Sequence, residues 1–388
     1  MAYTEDLNFI FSMPTKIIFG AGSIKELKPV LEERGLKRVL LVTDKVLREK
    51  KEIVGKAVEI IGDKLAGIFD EVIPDSGIHI VNSGGRVARE LKVDSIVSIG
   101  GGSVIDTAKG IAILNAFGGK ITDYDGFNIL SERVTFHIAI PTTAGTGSEV
   151  TMAAVIKDHD AKRKLIFGDI HIIPDLAILD PELTLSLPPE ITAATGMDAL
   201  SHAIEAMHSQ QREPFSDALS LHAIKLISTY LPVAYKNGND IVARGQLLIA
   251  SCLAGIAFSN AQVGLVHALA HVLGGKYGIP HGVANAIFLP YVMEFNLPEC
   301  VDVYAEVSSA LGIKRGSLSS EEYAKKGIEF IKNFVKELNL PSRLREVGVK
   351  KEDLEIMAEE TLGDGCIVYN PRFAMDAGIV KSVLEIAY

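Results

Sequence analysis

"SIVSIGGGSVIDTAKGIA", Ser95 to Ala112, decides the fold. Its first five residues set Ile96, Val97 and Ile99 among two small serines, a β-branched pattern that suits a buried strand. Gly100, Gly101 and Gly102 follow at once, and a helical pattern opens at Ser103, a residue type that caps helices. A strand that becomes a helix through bare glycines brings backbone N–H groups and the positive helix end to one point. A phosphate can approach there without meeting a Cβ atom. Gly101, Gly102, Ser103 and Asp106 are the candidates for that contact. An ordinary tight turn, with Asp106 serving only the helix dipole, is the competing reading.

On either side of this stretch, short strand-like runs alternate with helical patterns. "KIIFG" (16–20), "RVLLVTD" (38–44), "LAGIFDEVI" (65–73) and "LAILDP" (176–181) read as strands, and 50–62 and 79–92 read as helices. Ser23 and Glu26 have capping-box spacing. Residues 153–168 read as a hairpin turning at Asp158–Asp160. The alternation predicts a parallel sheet with helices on both faces. A second glycine-flanked loop, "PTTAGTGSEVT" (141–151), follows the strand "HIAI" and offers the hydroxyls of Thr142, Thr143, Thr146 and Ser148. Two such loops after parallel strands match the rule that ligands bind at the carboxyl edge of an open α/β sheet, and favour a phosphate-bearing cofactor. Asp44 ends the second strand. A carboxylate there can accept from adenosine ribose hydroxyls and repel a 2′-phosphate; the plainer reading is a surface turn.

After "LPPE" (187–190) nearly everything reads as helix, near 190–209, 214–236, 240–259, 264–274 and 283–295, and onward to the end. The 388 residues are too many for one ordinary core. The expectation is an α/β domain over 1–188 and an all-helical domain over 189–388. Net charge is −10, which argues against nucleic acid and against an anionic membrane surface. The longest apolar runs, such as 247–258, are short for a bilayer span. The first residues carry acids where a signal peptide needs bases. Cys252, Cys300 and Cys366 show no C-x-x-C spacing. A soluble, cytoplasmic protein is expected.

The helical half concentrates histidines. "ATGMDALSHAIEAMHS" (194–209) sets Asp198 and His202 four apart, on one helix face, among small alanines. "GLVHALAHVLGGKYGIPHG" (264–282) holds His267, His271 and His281. Any one of these is more often a core histidine than a ligand. Together, one carboxylate and three or four imidazoles without a thiolate suit Fe²⁺, Zn²⁺, Co²⁺ or Mn²⁺ with an open position for substrate. Helix spacing lets His271 be either a ligand or a neighbour of the ligands.

"GGGSVID", "PTTAGTGSEVT", "ILDPELT", "GMDALSHAIEA", "HALAHVLGGKYGIPHGVANAI" and "YNPR" stand in one order along the chain. In these motifs, over essentially its whole length, the sequence resembles the iron-dependent (group III) alcohol dehydrogenase family, with its dehydroquinate synthase-like fold. The resemblance implies Asp198, His202, His267 and His281 as metal ligands, with His271 behind them as a catalytic group near the nicotinamide. It implies NAD, with NADP disfavoured by Asp44, on the GGGS and Thr142–Thr143 loops, with Lys164 as a further contact. Fe²⁺ is the implied metal and Zn²⁺ the alternative. Some relatives line the substrate pocket with asparagines where this chain has Asp75 and Ala153, so a diol specificity is not implied. The expected activity is hydride transfer between a small primary alcohol, or its aldehyde, and NAD(H), in a homodimer or larger homo-oligomer. A zinc-dependent polyol dehydrogenase, a dehydroquinate-synthase-like lyase and a non-catalytic nucleotide-binding redox sensor are the rivals.

Overall fold

The computed structural model describes residues 7–159 and 163–388. The chain divides into two compact units, Met13–Ser186 and Leu187–Tyr388, the latter joined by the N-terminal segment ending at Ser12.

The first unit is built on strands β1 (Lys16–Phe19), β2 (Val39–Asp44), β3 (Leu65–Val72), β4 (Ser95–Gly100), β5 (Gly126–Phe127), β6 (Phe136–Pro141), β7 (Ala153–Asp158), β8 (Arg163–Gly168) and β9 (Leu176–Leu179). Six of them form a sheet in the order β1-β9-β6-β4-β2-β3, parallel at every pairing. Helices α1 (Leu27–Glu33), α2 (Lys45–Arg48), α3 (Lys56–Ile61), α4 (Ile78–Glu90) and α5 (Gly102–Phe117) connect them. Val39 and Leu41 bury one face of β2 with Leu27, Leu31 and Ile61, while Leu40 and Val42 bury the other with Ile80, Val104 and Ile111. Two covered faces explain why the strands read as unbroken apolar runs. β7 and β8 are antiparallel, from Ala153↔Gly168 to Asp158↔Arg163; Asp160 of the expected turn lies outside the described residues.

Two local expectations change. Ser23 and Glu26 form no capping box; Gly22 precedes the turn, and Asp180 of "ILDP" accepts from the N–H groups of Gly22 and Ile24. Ser23 is already the first residue of the turn, and its hydroxyl donates to Leu179 O at 3.5 Å. Ser103 does not cap α5 either. The cap residue is Gly101, and Ser103 Oγ accepts instead from the Asp75 N–H, 3.2 Å away in the loop after β3.

The second unit comprises α6 (Pro189–His208), α7 (Pro214–Lys236), α8 (Ile241–Ala261), α9 (Leu265–Tyr277), α10 (His281–Ala310), α11 (Ser320–Glu337), α12 (Leu354–Thr361) and α13 (Ala377–Ala387), with short 3₁₀ turns between. It has no strand among its described residues. α6 is buried all round from Gly196 to His208, as a central helix must be, and packs on α7, α8 and α10. α8 reaches 21 residues with mean hydropathy 1.8, longer than its apolar run suggested and long enough by length and composition to cross a membrane. Two-thirds of it is buried inside the unit, and its Arg244 is 2% exposed, donating to Gly238 O, Leu187 O and Thr192 Oγ1.

α10 starts at His281 itself, on Pro280 as cap residue, not at 283. It continues past 295 to Ala310, with a break in helical geometry at Cys300 just after Pro298. The N-terminal segment also differs from expectation. Its described part lies with the helical unit and not with the α/β domain. Ser12 and Asn260 exchange two hydrogen bonds, and Phe11 stacks on Phe215 at 5.3 Å. Phe9 and Phe11 both set their rings against Phe215, at 5.8 and 5.3 Å.

Candidate functional site

One face of α6 carries Asp198, His202 and Glu205, at i, i+4 and i+7. His267 comes from the first turn of α9 and His281 from the first residue of α10. A donor atom from each of Asp198, His202, His267 and His281 lies within 4.8 Å of all the others. Three of the four residues are buried and His281 is partly exposed. His202 stacks between Phe258, at 4.2 Å, and His267, at 4.6 Å, which fixes its ring plane. Gly282 lets α10 reach this point: a Cβ there would collide with the carbonyl oxygen of Ala194 in α6, which is backbone and cannot turn aside.

Asn285, one turn beyond His281, sits in the middle of the group. Its Nδ2 donates to Asp198 Oδ1 at 2.7 Å and lies 3.3 Å from both His267 Nε2 and His281 Nε2. A carboxylate oxygen and two ring nitrogens thus converge on one amide nitrogen. A carboxylate and three imidazoles arranged in this way fit a divalent first-row metal ion.

Glu205 was not among the residues singled out in the sequence, although helical period alone puts it on the Asp198 face. It is fully buried. Its Oε2 pairs with His267 Nδ1, and its Oε1 accepts from the N–H groups of Gly264 and Val266 at 3.0 and 2.9 Å. Burial pushes its carboxyl up to about 7, against the pull of His208 and of these N–H donors.

His271 lies one turn beyond His267 on α9 and stacks on His281 at 5.4 Å. Its Nδ1 is held at 2.7 Å by Asp364 Oδ2, whose other oxygen accepts from the Cys366 N–H. Burial opposes ionisation of Asp364, but His271 beside it and its hydrogen bonds hold the carboxyl well below the usual carboxylate range. His271 thus stands beside the four-donor group and forms a second cluster of possible donors with Asp364 and Cys366.

In the α/β unit, β4 lies between β2 and β6, so Asp44, Gly101–Ser103 and Thr142–Thr143 occupy neighbouring positions along one carboxyl edge. The two glycine-rich loops pack on each other: a Cβ on Gly101 would meet Thr143, and one on Gly102 would collide with Thr146. No side chain caps α5. Asp44 also caps α2, accepting from the Leu47 N–H at 2.8 Å. Lys164 pairs with Asp75 at 3.6 Å. Asp106 is engaged within the protein: one oxygen accepts from Ser148 Oγ and the other from the Val155 N–H. Asp106 and Ser148 therefore tie the second loop to α5.

A doubly wound sheet with paired glycine-rich loops, followed in the chain by a helical unit that gathers three imidazoles and a carboxylate, defines a metal-dependent, nucleotide-linked class of oxidoreductase. Residues 14–181 match the model of iron-containing alcohol dehydrogenases, and residues 192–388 match that of the Fe-containing alcohol dehydrogenase family, C-terminal. The chain belongs to the iron-containing alcohol dehydrogenase family. It is 41% identical to the NAD-dependent methanol dehydrogenase of Bacillus methanolicus, over 96% of this chain and 99% of that one. It is 36% identical to the NADPH-dependent butanol dehydrogenase of Clostridium saccharobutylicum, over 97% of each. A solved 1,3-propanediol oxidoreductase superposes with a TM-score of 0.95 at 37% identity, over 98% of this chain and all of that one.

Proposed function

We propose that the protein is an NAD(H)-linked, iron-dependent alcohol dehydrogenase and aldehyde reductase, with Asp198, His202, His267 and His281 holding the metal. The observation that carries this is the convergence of four donor atoms from three separate helices within 4.8 Å. When bound, Fe²⁺ supplies a Lewis acid that polarises the alcohol or aldehyde oxygen, and the nicotinamide supplies or takes the hydride.

The chain's own groups do the rest. The α5 N-terminus at Gly101, Gly102 and Ser103 receives the cofactor's phosphates, with Thr142, Thr143 and Thr146 as hydroxyl partners. Lys164, paired with Asp75 at 3.6 Å, is a further contact. Asp106 and Ser148 hold these loops in register. Asp44 accepts from the adenosine ribose, which favours NAD over NADP; relatives named for each cofactor make this residue the point to test. His271, its Nδ1 held by Asp364, presents Nε2 to take or give the alcohol proton.

The reading includes small primary alcohols and their aldehydes as substrates, a homo-oligomer of at least two copies, and the cytoplasm. It includes no nucleic-acid or membrane partner, which the net charge of −10 supports. Zn²⁺ suits the same donors, and a zinc-dependent polyol dehydrogenase is the second reading that the His₃Asp set supports. The test is NADH consumption by anaerobically purified protein, loaded with Fe²⁺ or with Zn²⁺, against a panel of aldehydes and polyols. Turnover that needs Fe²⁺ and favours small aldehydes is expected. NADH binding without turnover under any metal would leave a nucleotide-binding protein instead.

A further inference from the structure

We infer that Glu205 is the positioning residue of the metal centre: one buried carboxylate both seats α9 and sets the tautomer of His267. The inference rests on His267 being a ligand. α9 opens at Leu265 behind Gly264, which has no side chain to cap it. Glu205, reaching across from α6, takes that place by accepting from the N–H groups of Gly264 and Val266, at the positive end of the helix. The fit is close: a Cβ on Gly264 would stand 3.3 Å from Glu205 Oε1. The second oxygen of the same carboxylate meets His267 Nδ1.

In its ionised form the Glu205 carboxyl only accepts, and in that form the ring hydrogen sits on Nδ1 and the lone pair on Nε2, the nitrogen beside Asn285 Nδ2. Asn285 Nδ2 lies 3.3 Å from His267 Nε2, a contact that suits the same tautomer. The placement of α9 and the ligating state of His267 therefore depend on one side chain. This is the carboxylate–histidine–metal arrangement, with the carboxylate also capping the ligand's helix.

Glu205→Gln separates the two roles by chemistry alone, because an amide has one accepting end and one donating end. If its oxygen faces the Gly264 and Val266 N–H groups, its NH₂ faces His267 Nδ1 and drives the hydrogen onto Nε2, where no metal can bind. If its oxygen faces Nδ1, two N–H donors of α9 oppose its NH₂. Glu205→Asp is shorter but still only accepts, so it preserves the tautomer.

The experiment titrates Zn²⁺, and separately Co²⁺, into full-length metal-stripped wild type, Glu205→Gln, Glu205→Asp and His267→Ala against a competing chelator. The Co²⁺ absorption spectrum reports the ligand field. Glu205→Gln is expected to weaken Zn²⁺ roughly 10- to 100-fold and to change the Co²⁺ spectrum, with Glu205→Asp losing less. Affinity in Glu205→Gln within about twofold of wild type (a factor worth about 0.4 kcal/mol) would overturn the inference. A loss in Glu205→Asp equal to or larger than in Glu205→Gln would reduce Glu205 to a packing role. If Glu205→Gln does not fold, that second comparison is made between Glu205→Asp and wild type: a loss above 100-fold overturns the tautomer argument and a smaller one supports it. His267→Ala separates the failures. If it keeps its metal, the ligand reading fails; if it loses metal while Glu205→Gln does not, only this inference fails.

Discussion

Each unit buries a cluster of polar and ionisable groups, and the two clusters differ in what stands at the centre. In the α/β unit the centre is Lys109, fully buried, donating to Thr151 O, Thr151 Oγ1 and Ala153 O, with Asp106 at 3.8 Å. In the helical unit the centre is the neutral amide of Asn285, among a carboxylate and two imidazoles. The first cluster carries its own cation and uses all three ammonium hydrogens within the chain, so it is scaffold. The second presents acceptors around an amide that brings no charge, so it suits an added ion. Buried polarity alone does not mark a site; the sign and supply of charge at its centre do.

The largest expected effect separates the two clusters by stability. Lys109→Ala leaves Asp106 and Glu149 buried without their cation and should cost about 3–5 kcal/mol in denaturant unfolding. The remaining folded protein should still bind metal in full. Metal loss from that variant would mean that the two clusters are not independent.

Removing the metal from wild type is next. A ligand at 100 to 1,000 times its dissociation constant contributes about 3–4 kcal/mol to the folded state, so chelation should lower the melting temperature by several degrees. In Lys109→Ala the chelator-induced decrease should be the same size.

The scaffold cluster also has a pH signature. Burial pushes Glu149 from 4.5 up to about 7, with Lys109 opposing. Between those values the folded chain holds more protons than the unfolded one, so this group's contribution to stability is full at low pH and falls as pH rises toward 7. The slope is at most about 1.4 kcal/mol per pH unit for one proton. Glu149→Gln should make the fall of the unfolding free energy across that window less steep, and an unchanged pH profile would show that Glu149 titrates normally. Lys109, lowered from 10.5 to about 8 by burial, works in the other direction: stability rises with pH between those values.

The smallest effect concerns Asp44, which the structure uses as a helix cap and the proposed function uses again at the ribose. Asp44→Gly should move the NAD(H) to NADP(H) ratio of kcat/KM by roughly tenfold toward NADP(H), equivalent to about 1.4 kcal/mol. A preference that does not move would leave Asp44 with the cap alone.

What the sequence made legible follows from range. The glycine-rich strand-to-helix passage, the alternation around it and the Asp198/His202 spacing are local patterns, and local patterns carry fold class and candidate ligands. Glu205 obeys the same helical period and was legible in principle, hidden among the alanines and methionines around it. Asn285, four residues after His281, is a similar case. Asp364 is not: 93 positions separate it from His271, and no spacing rule spans that distance. Ser103 and Asp106 read as ligand contacts because a helix N-terminus offers the same chemistry to a loop as to a phosphate. Their loop partners, the Asp75 N–H and Ser148, come from distant positions that no local pattern shows. The segment ending at Ser12 has no period of its own, and the contacts that hold its described part, with Phe215 and Asn260, lie more than 200 residues away.

The central claim is that four residues, and not the fifth beside them, hold the ion. The direct measurement is metal per chain in anaerobically Fe²⁺-loaded wild type, Asp198→Ala, His202→Ala, His267→Ala, His281→Ala and His271→Ala, with NAD binding measured on the same samples. The account predicts loss of metal from the first four variants with NAD binding kept. For His271→Ala it predicts full metal content with turnover reduced by about 10²-fold or more. Full metal in two or more of the first four, or stoichiometric loss from His271→Ala, would contradict it.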